Sequence, residues 1–223
     1  MPGSALTPTA TPTEGAIRFR YVLREPDAAD ALGADRFERL AAWRQILKQL
    51  KLIGRAAGRY DGFAFGNLSV RDDTNAARFF ITASQTGGAR RLSPQHVVRV
   101  DAWDAHRFEV TATGAASPSS ESITHGMVYA ADARIDWIMH VHAPVIWRAA
   151  ARLHLPTTAA DVEYGSPAMA NAVGVLLERH ATRPLLFATL GHEDGVFACG
   201  AAADDTGGAL VRALADAYAA HAS

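Results

Sequence analysis

An apolar run over residues 135–142 ends in a His-Val-His pattern, and this run constrains the local fold more than any other part of the sequence. In an extended strand, successive side chains point to opposite faces. His140 and His142 would therefore share one face of a strand, while Trp137 and Met139 would share the other. Two neutral imidazoles held this close favour a divalent transition metal, and a carboxylate from elsewhere would complete a three-ligand site. The run predicts a strand that packs on one face and binds an ion on the other.

The composition narrows the class of protein. The chain has 223 residues, 49% of them hydrophobic, which is enough for one large core, so a single domain is expected over residues 16–223. Its 22 basic and 23 acidic residues nearly balance, which argues against nucleic acid or an anionic membrane as a partner. The lone Cys199 excludes an internal disulfide. No apolar run approaches the length of a membrane helix, which is about 18 residues or more. We expect a cytoplasmic protein that acts on a small molecule.

The order of elements predicts an α/β fold. Residues 1–15, rich in Pro, Thr and Ala, lack the features of a signal peptide and are expected to be disordered. Strands are predicted at residues 17–23, 67–71, 78–82, 97–101, 135–142, 185–190 and 196–199. Helices are predicted at residues 35–53, from Ser119 or Ser120 to Ala131, and at residues 145–153, 167–180 and 204–221. Strands and helices without strict alternation favour three αβα layers, with the first strand outside the main body or at its edge.

Five short motifs follow one another in the order of a known family. They are Gly66-Asn67-Leu68-Ser69-Val70-Arg71, Ile81-Thr82 with Thr86-Gly87, Leu92-Ser93-Pro94 before residues 97–101, Pro118-Ser119-Ser120-Glu121 with His125, and His140-Val141-His142. Over roughly residues 38–218 the sequence resembles the class II aldolase/adducin family. The resemblance implies a mixed, largely antiparallel central sheet flanked by helices. It also implies a homotetramer with active sites near the subunit interfaces.

Two of these motifs and the start of a predicted helix together predict an anion site. Glycine lets the backbone approach a ligand closely, asparagine both donates and accepts hydrogen bonds, and helix starts gather N–H groups. Taken singly, such glycines can serve turns and such serines can cap a helix. In sugar-phosphate members of the family, the matching residues hold the substrate phosphate. The resemblance implies this role for Gly66, Asn67, Thr86, Gly87, Ser119 and Ser120.

The same resemblance implies the metal ligands. His140 and His142 match two ligands, and Glu121 matches a residue that either binds the metal or swings away to act as acid and base. The last ligand is a choice between two residues of the Gly-His-Glu-Asp-Gly segment that follows an apolar strand. His192 is favoured because it completes a three-nitrogen site, and Asp194 is the alternative. The expected ion is zinc, with manganese, iron or cobalt as alternatives.

These residues predict a metal-dependent lyase of the class II aldolase type, working in carbohydrate metabolism. Its substrate would be a small hydroxy-carbonyl compound, expected to be a sugar phosphate, which reacts through an enediolate while Glu121 moves the proton. Epimerase, dehydratase and decarboxylase activities at the same site are alternatives, and a non-catalytic adducin-like interaction domain is less favoured. The catalytic tyrosines of the aldolases lack clear counterparts, so Glu193, Asp194 or Tyr164 would have to substitute. His125 is expected to support the site without binding the ion.

Overall fold

One large sheet organises the computed structural model, which describes residues 16–27 and 31–221. Its strands are β1 (Arg20–Arg24), β4 (Asn67–Arg71), β5 (Phe79–Thr82), β6 (Val97–Asp104), β7 (Glu109–Thr113), β8 (Trp137–His142), β9 (Thr157–Thr158), β10 (Leu185–Thr189) and β11 (Gly195–Gly200), while β2 (Gly54–Arg55) and β3 (Ala64–Phe65) form a separate pair. The α-helices of the described ranges are α1 (Ala34–Gln49), α2 (Ser122–Ala131), α3 (Pro144–Ala149), α4 (Pro167–Arg179) and α5 (Ala203–His221). The prediction for residues 1–15 falls outside the described residues.

The sheet is mixed but largely antiparallel, as predicted. Its strand order is β1-β7-β6-β5-β4-β8-β11-β10-β9. Only the outermost pairs, β1 with β7 and β10 with β9, run parallel within the described residues. The expectation that the first strand lies at an edge is confirmed, and β8 lies inside the sheet between β4 and β11.

Helices cover both faces of the sheet and so complete the three layers that the sequence predicts. Apolar residues of α2 and α4 form one core with Ile138 of β8. Residues of α1, α3 and α5 form the other core, which contains Trp137, Met139 and Val141 of the same strand. The predicted division of β8 into two faces is therefore confirmed. No helix in the described ranges combines the length and the apolar character needed to cross a membrane.

The structure corrects several predicted boundaries. Helix α1 ends at Gln49 and does not reach Ile53, because Lys51 adopts a positive φ of 60° that turns the chain. Helix α2 begins at Ser122, so Glu121 precedes the helix and does not lie in its first turn. The turn that delays the helix start is closed by a 3.0 Å hydrogen bond from the Ser122 N–H to the Ser119 carbonyl.

Strand β7 was not predicted from the sequence. Its first four residues alternate in burial, but only Val110 and Ala112 are apolar and buried. A pattern with two small apolar residues is too short to stand out from a loop. The strand forms because β6 on one side and β1 on the other supply its hydrogen-bond partners.

Two consecutive glycines of α5 give a test of the packing between α5 and α1. A methyl group at Gly207 would overlap the indole of Trp43, whereas one at Gly208 would meet only the end of the Arg212 side chain, at 3.2 Å. Alanine favours a helix over glycine by about 1 kcal/mol, so Gly208→Ala should stabilise the protein by up to about that amount. Gly207→Ala must displace the indole and should destabilise it by about 1–3 kcal/mol. Urea unfolding of both variants measures the difference, and equal shifts would contradict this packing.

Candidate metal and anion site

Three buried histidines meet at one end of the sheet. His140 and His142 lie near the end of β8, and His192 lies in the turn between β10 and β11. The ring centroids are 5.1 Å apart for His140 and His142, 5.1 Å for His140 and His192, and 4.8 Å for His142 and His192. One nitrogen from each ring can be chosen so that all three lie within 4.8 Å of one another, and no ring is more than 4% exposed. Such a buried set of imidazoles has the chemistry to hold a divalent transition metal.

The carboxylate of Glu121 lies beside this triad. Its Oε1 is 3.5 Å from Nδ1 of His192 and 4.0 Å from Nε2 of His140. The side chain is 3% exposed, so the carboxylate is buried with the rings. The structure thus brings together the four residues that the sequence predicts as the metal site, and their chemistry fits a divalent ion.

The orientation of His140 is set by the neighbouring strand. Nδ1 of His140 lies 3.3 Å from the carbonyl oxygen of Val196 on β11. A proton on Nδ1 is donated to this carbonyl, so Nε2, the nitrogen nearer Glu121, is the one that can bind an ion. Phe197 stacks on the same imidazole with ring centroids 4.2 Å apart. The ring is therefore held by a hydrogen bond and by packing.

The turn that carries His192 requires glycine at two positions. A methyl group at Gly191 would overlap the carbonyl oxygen of Val162, and one at Gly195 would lie 2.5 Å from Oγ1 of Thr189 and 3.0 Å from Nδ1 of His192. The His192 N–H donates to the Thr189 carbonyl and the Gly195 N–H donates to the His192 carbonyl, each over 3.0 Å. The tight turn therefore places the imidazole at the sheet end.

Asp194, the alternative ligand, is engaged elsewhere. The Tyr60 hydroxyl donates to its Oδ2 over 2.6 Å, and Nη2 of Arg59 lies 3.6 Å from the same oxygen. Burial, with this hydrogen bond to Asp194, raises the pKa of Tyr60 above its usual value. The Tyr60 ring also packs edge-on against His142 with centroids 4.6 Å apart. The structure thus brings His192, and not Asp194, to the other two histidines, while Glu193 is exposed.

Tyr60 is a site residue that the sequence analysis missed. It lies between β2 and β3 with a φ of 49°, and Asp61 follows with a φ of 52°. Such left-handed conformations are unusual for residues other than glycine and concentrate at functional sites. No motif or periodic pattern in this loop indicates the contact with His142.

A small hollow lies next to the histidines and is lined by all six residues predicted to bind an anion. Its lining includes Gly66, Asn67, Thr86, Gly87, Ser119 and Ser120. Asn67 pairs with His140 across β4 and β8, which places the hollow beside the triad. None of the described residues that line it carries a charged side chain, so an anion would be held by N–H and hydroxyl donors.

Among the polar groups of the hollow, the two serine hydroxyls have hydrogen-bond partners and the asparagine amide oxygen has none in the described residues. The Ser119 Oγ accepts the Glu121 N–H over 3.3 Å, and the Ser120 Oγ accepts the hydroxyl of Tyr164 over 2.7 Å. Oδ1 of Asn67 is buried and has no hydrogen-bond partner among the described residues. A buried acceptor without a partner is costly, so Oδ1 is suited to a ligand that supplies a donor, such as a substrate hydroxyl. Nδ2 of the same amide can donate to an anion.

A buried arginine holds one wall of the hollow. Nη2 of Arg44 on α1 lies 2.8 Å from each of the carbonyl oxygens of Thr86, Gly87 and Ala89, and Arg44 is only 2% exposed. By bonding these carbonyl oxygens, Arg44 fixes the turn that forms this wall of the hollow. The sequence analysis missed Arg44, although it stands four residues after Leu40 and three before Leu47, on the buried stripe of the helix.

The two glycines of the hollow are required by close approach of the backbone. Gly66 has a φ of +74°, and a methyl group there would lie 2.7 Å from Cγ1 of Ile53. A methyl group at Gly87 would lie 2.7 Å from the carbonyl oxygen of Gly54. Contacts within the protein alone therefore exclude a larger side chain at both positions, whether or not a ligand is bound.

His125 lies outside the triad. Its Nδ1 pairs with the Ser69 hydroxyl over 2.7 Å, and that hydroxyl also pairs with the Tyr129 hydroxyl over 2.7 Å. Burial lowers the pKa of His125 to about 3, so the ring stays neutral at physiological pH. Its contacts join α2 to β4 beneath the site.

Comparison with known proteins supports the resemblance read from the motifs. A family model described as Class II Aldolase and Adducin N-terminal domain matches residues 52–214. Among curated proteins there is no match.

Several solved structures share the fold. L-fuculose-1-phosphate aldolase from Thermus thermophilus is 20% identical, with a TM-score of 0.56 over 83% of this chain and 93% of that chain. Another L-fuculose 1-phosphate aldolase is 20% identical, with a TM-score of 0.61 over 87% of this chain and 90% of that chain. YgbL from Klebsiella pneumoniae, a candidate aldolase/epimerase/decarboxylase, is 17% identical, with a TM-score of 0.57 over 81% of this chain and 86% of that chain. These similarities confirm the predicted architecture.

The convergence of the histidines predicts that the protein binds about one divalent ion per chain, with zinc preferred. His140→Ala removes a central donor and should lose most of the ion, whereas His106→Ala changes an exposed histidine on the turn between β6 and β7 and should keep it. Elemental analysis after zinc loading and dialysis measures the content, and circular dichroism checks that both variants fold. Equal zinc in His140→Ala and the unchanged protein would show that the triad is not the metal site.

Proposed function

The chain belongs to the family of class II aldolase and adducin N-terminal domains, and from this premise we propose that it is a metal-dependent lyase acting on a small phosphorylated hydroxy-carbonyl compound. One observation carries the proposal. Three buried histidines and a buried glutamate converge beside a hollow lined by hydroxyl and amide groups. The histidines with Glu121 match the reactive, oxygen-rich end of such a substrate. The hollow matches its anionic end.

The proposed ion ligands are His140, His142 and His192, with Glu121 as a further ligand or as the neighbouring base. The proposed ion is zinc, with manganese, iron or cobalt as alternatives. When bound, a divalent ion would act as a Lewis acid that stabilises negative charge on a substrate oxygen. The histidines are on strand and turn backbone that packing already holds, so little rearrangement is needed to present them.

Glu121 is the proposed acid and base. Its Oε1 lies within 4.0 Å of both His140 and His192, so it borders the position where the reacting carbon would lie. The N–H of Glu121 is fixed by Ser119, which holds the residue at the start of α2. From there Oε1 can take a proton from a substrate carbon and return it.

The phosphate of the substrate is proposed to bind in the hollow. Two of the solved structures with this fold are L-fuculose-1-phosphate aldolases, which supports a phosphorylated substrate. Ser119 and Ser120 would donate through their hydroxyls, Asn67 through Nδ2 and Gly87 through its backbone N–H. Thr86 would shape the turn, since its N–H and its hydroxyl both donate to the Ala83 carbonyl. The cavity, about 20 Å³, would have to widen to admit a phosphate group. From the family resemblance we also propose that the protein works in carbohydrate metabolism as a homotetramer, and from its composition that it is cytoplasmic.

A second proposal is that the same residues serve an epimerase, dehydratase or decarboxylase. YgbL, a candidate aldolase/epimerase/decarboxylase, shares the fold, and this similarity supports considering these reactions as well. All of them need a base beside a bound hydroxy-carbonyl group, and Glu121 occupies that place in each case. A non-catalytic adducin-like role is disfavoured because three histidines and a glutamate are buried together.

Replacement of the proposed base tests this function. The zinc-loaded protein should exchange hydrogen at the hydroxymethyl carbon of dihydroxyacetone phosphate, the smallest phosphorylated hydroxy-ketone, with deuterium from the solvent. Glu121→Gln should slow this exchange by about 10²-fold or more, because the amide cannot take the proton. Its zinc content should remain close to that of the unchanged protein, since the histidines are intact. Proton NMR in deuterium oxide and elemental analysis provide the two readouts.

Glu178→Gln is the matched control, because this glutamate is exposed on α4, outside the histidine triad and the hollow, and should leave the exchange unchanged. Exchange that survives in Glu121→Gln would remove Glu121 from the mechanism. Absence of exchange in the zinc-loaded unchanged protein would contradict the proposed substrate class.

A further inference from the structure

Tyr164 touches both halves of the site. Its ring packs on that of His192 with centroids 4.1 Å apart and planes tilted by 32°. Its hydroxyl donates to the Ser120 Oγ over 2.7 Å, and the residue is only 4% exposed. The sequence indicates Tyr164 as one of three candidates for the acid in place of the aldolase tyrosines. In the structure it joins a proposed metal ligand to a proposed anion-binding residue.

The Tyr164 turn is anchored from a distant part of the chain. Nη1 of Arg18 donates over 3.0 Å to the Tyr164 carbonyl oxygen and over 3.0 Å to Oε1 of Glu163. The Tyr164 N–H donates over 3.3 Å to the carbonyl oxygen of Gly191, next to His192. Gly165 follows with a φ of +61° and would bring a methyl group within 3.2 Å of Arg18. Arg18, two residues before β1, and the turn before β11 therefore fix the tyrosine together.

We infer that Tyr164 is a positioning residue that couples the histidine triad to the anion hollow, an inference that rests on the proposed function. The hydroxyl acts on Ser120. A serine hydroxyl carries one hydrogen and can otherwise rotate among its staggered positions. Because Oγ of Ser120 accepts from Tyr164, its own hydrogen is directed to another acceptor, and an anion in the hollow is the acceptor that this arrangement favours.

The ring acts on His192. His192 lies in a turn, so its backbone is not held by strand pairing, unlike the backbone of His140 and His142. Packing of the Tyr164 ring limits the orientations of the imidazole before an ion binds. Groups that orient a metal-ligating histidine typically change metal affinity by about 10–100-fold when removed. The two contacts of one side chain can be separated by mutation, since phenylalanine keeps the ring and loses the hydroxyl.

Two substitutions separate these effects. Tyr164→Phe should weaken binding of inorganic phosphate to the zinc-loaded protein by about fivefold, as expected for one lost hydrogen bond, and should leave the zinc Kd within about twofold. Tyr164→Leu should weaken phosphate binding and also raise the zinc Kd by about tenfold or more. Isothermal titration calorimetry measures phosphate binding, and competition with a chromophoric chelator measures zinc binding.

Tyr21→Phe is the matched control. It removes another Tyr–Ser hydrogen bond, that of Tyr21 with Ser117 at 2.9 Å, from an exposed position on β1. It should change neither affinity by more than about twofold, because no ring or hydroxyl of the site is touched. A double-mutant cycle with Ser120→Ala assigns the phosphate effect, since Tyr164→Phe should add little once Ser120 has lost its hydroxyl.

The outcomes separate failure of this inference from failure of the proposed function. If the unchanged protein binds zinc and phosphate but Tyr164→Phe binds phosphate equally well, the coupling through Ser120 is wrong and the proposed function stands. If zinc affinity falls equally in Tyr164→Phe and Tyr164→Leu, the ring is not the group that supports His192. If the unchanged protein binds zinc but no phosphate, both the anion site and this inference are wrong.

Discussion

The pairing of β8 with its two neighbours is the constraint on which the site depends. On one side β4 places Asn67 opposite His140, which brings the hollow to the triad. On the other side β11 places Gly195 opposite His142 and so positions the turn that carries His192. A slip of one residue in β8 would turn both histidines into the opposite apolar core. The register is held because Trp137, Met139 and Val141 fill that core.

Burial gives these polar groups their chemical character. Three imidazoles and a carboxylate are removed from water, and such groups destabilise a fold unless they are paired or bind an ion. A divalent ion held by the triad would offset this cost and would link metal binding to stability. The anion hollow is built differently, with neutral donors whose backbone is fixed by Arg44 behind the turn. The charged side chain of Arg44 thus stabilises one wall of the hollow and is not among the residues that line it.

The parts of this structure that follow from short-range patterns could be read from the sequence. Alternation in residues 135–142 was sufficient for the two faces of β8, and the family resemblance carried by the motifs was sufficient for six of the residues that line the hollow. Arg44 could also have been found, because it interrupts the apolar stripe of α1. Tyr60 could not, and Tyr164 could be named only as a candidate acid, without its contacts. Each lies in a loop without periodic pattern, and its contact partner is far away in the chain, as with Tyr164 and Ser120, which are 44 positions apart. Such contacts depend on how the strands are ordered in the sheet, which one sequence does not reveal.

The central claim is that the strand register builds a metal site and an anion site side by side. Crystals grown with zinc and phosphate, measured at and below the zinc absorption edge, test it most directly. The account predicts one anomalous peak for zinc, at about 2.0–2.1 Å from a ring nitrogen of each of His140, His142 and His192. It also predicts phosphate density between Asn67, Ser119 and Ser120. Zinc bound elsewhere, or bound with Asp194 in place of His192, would contradict the account.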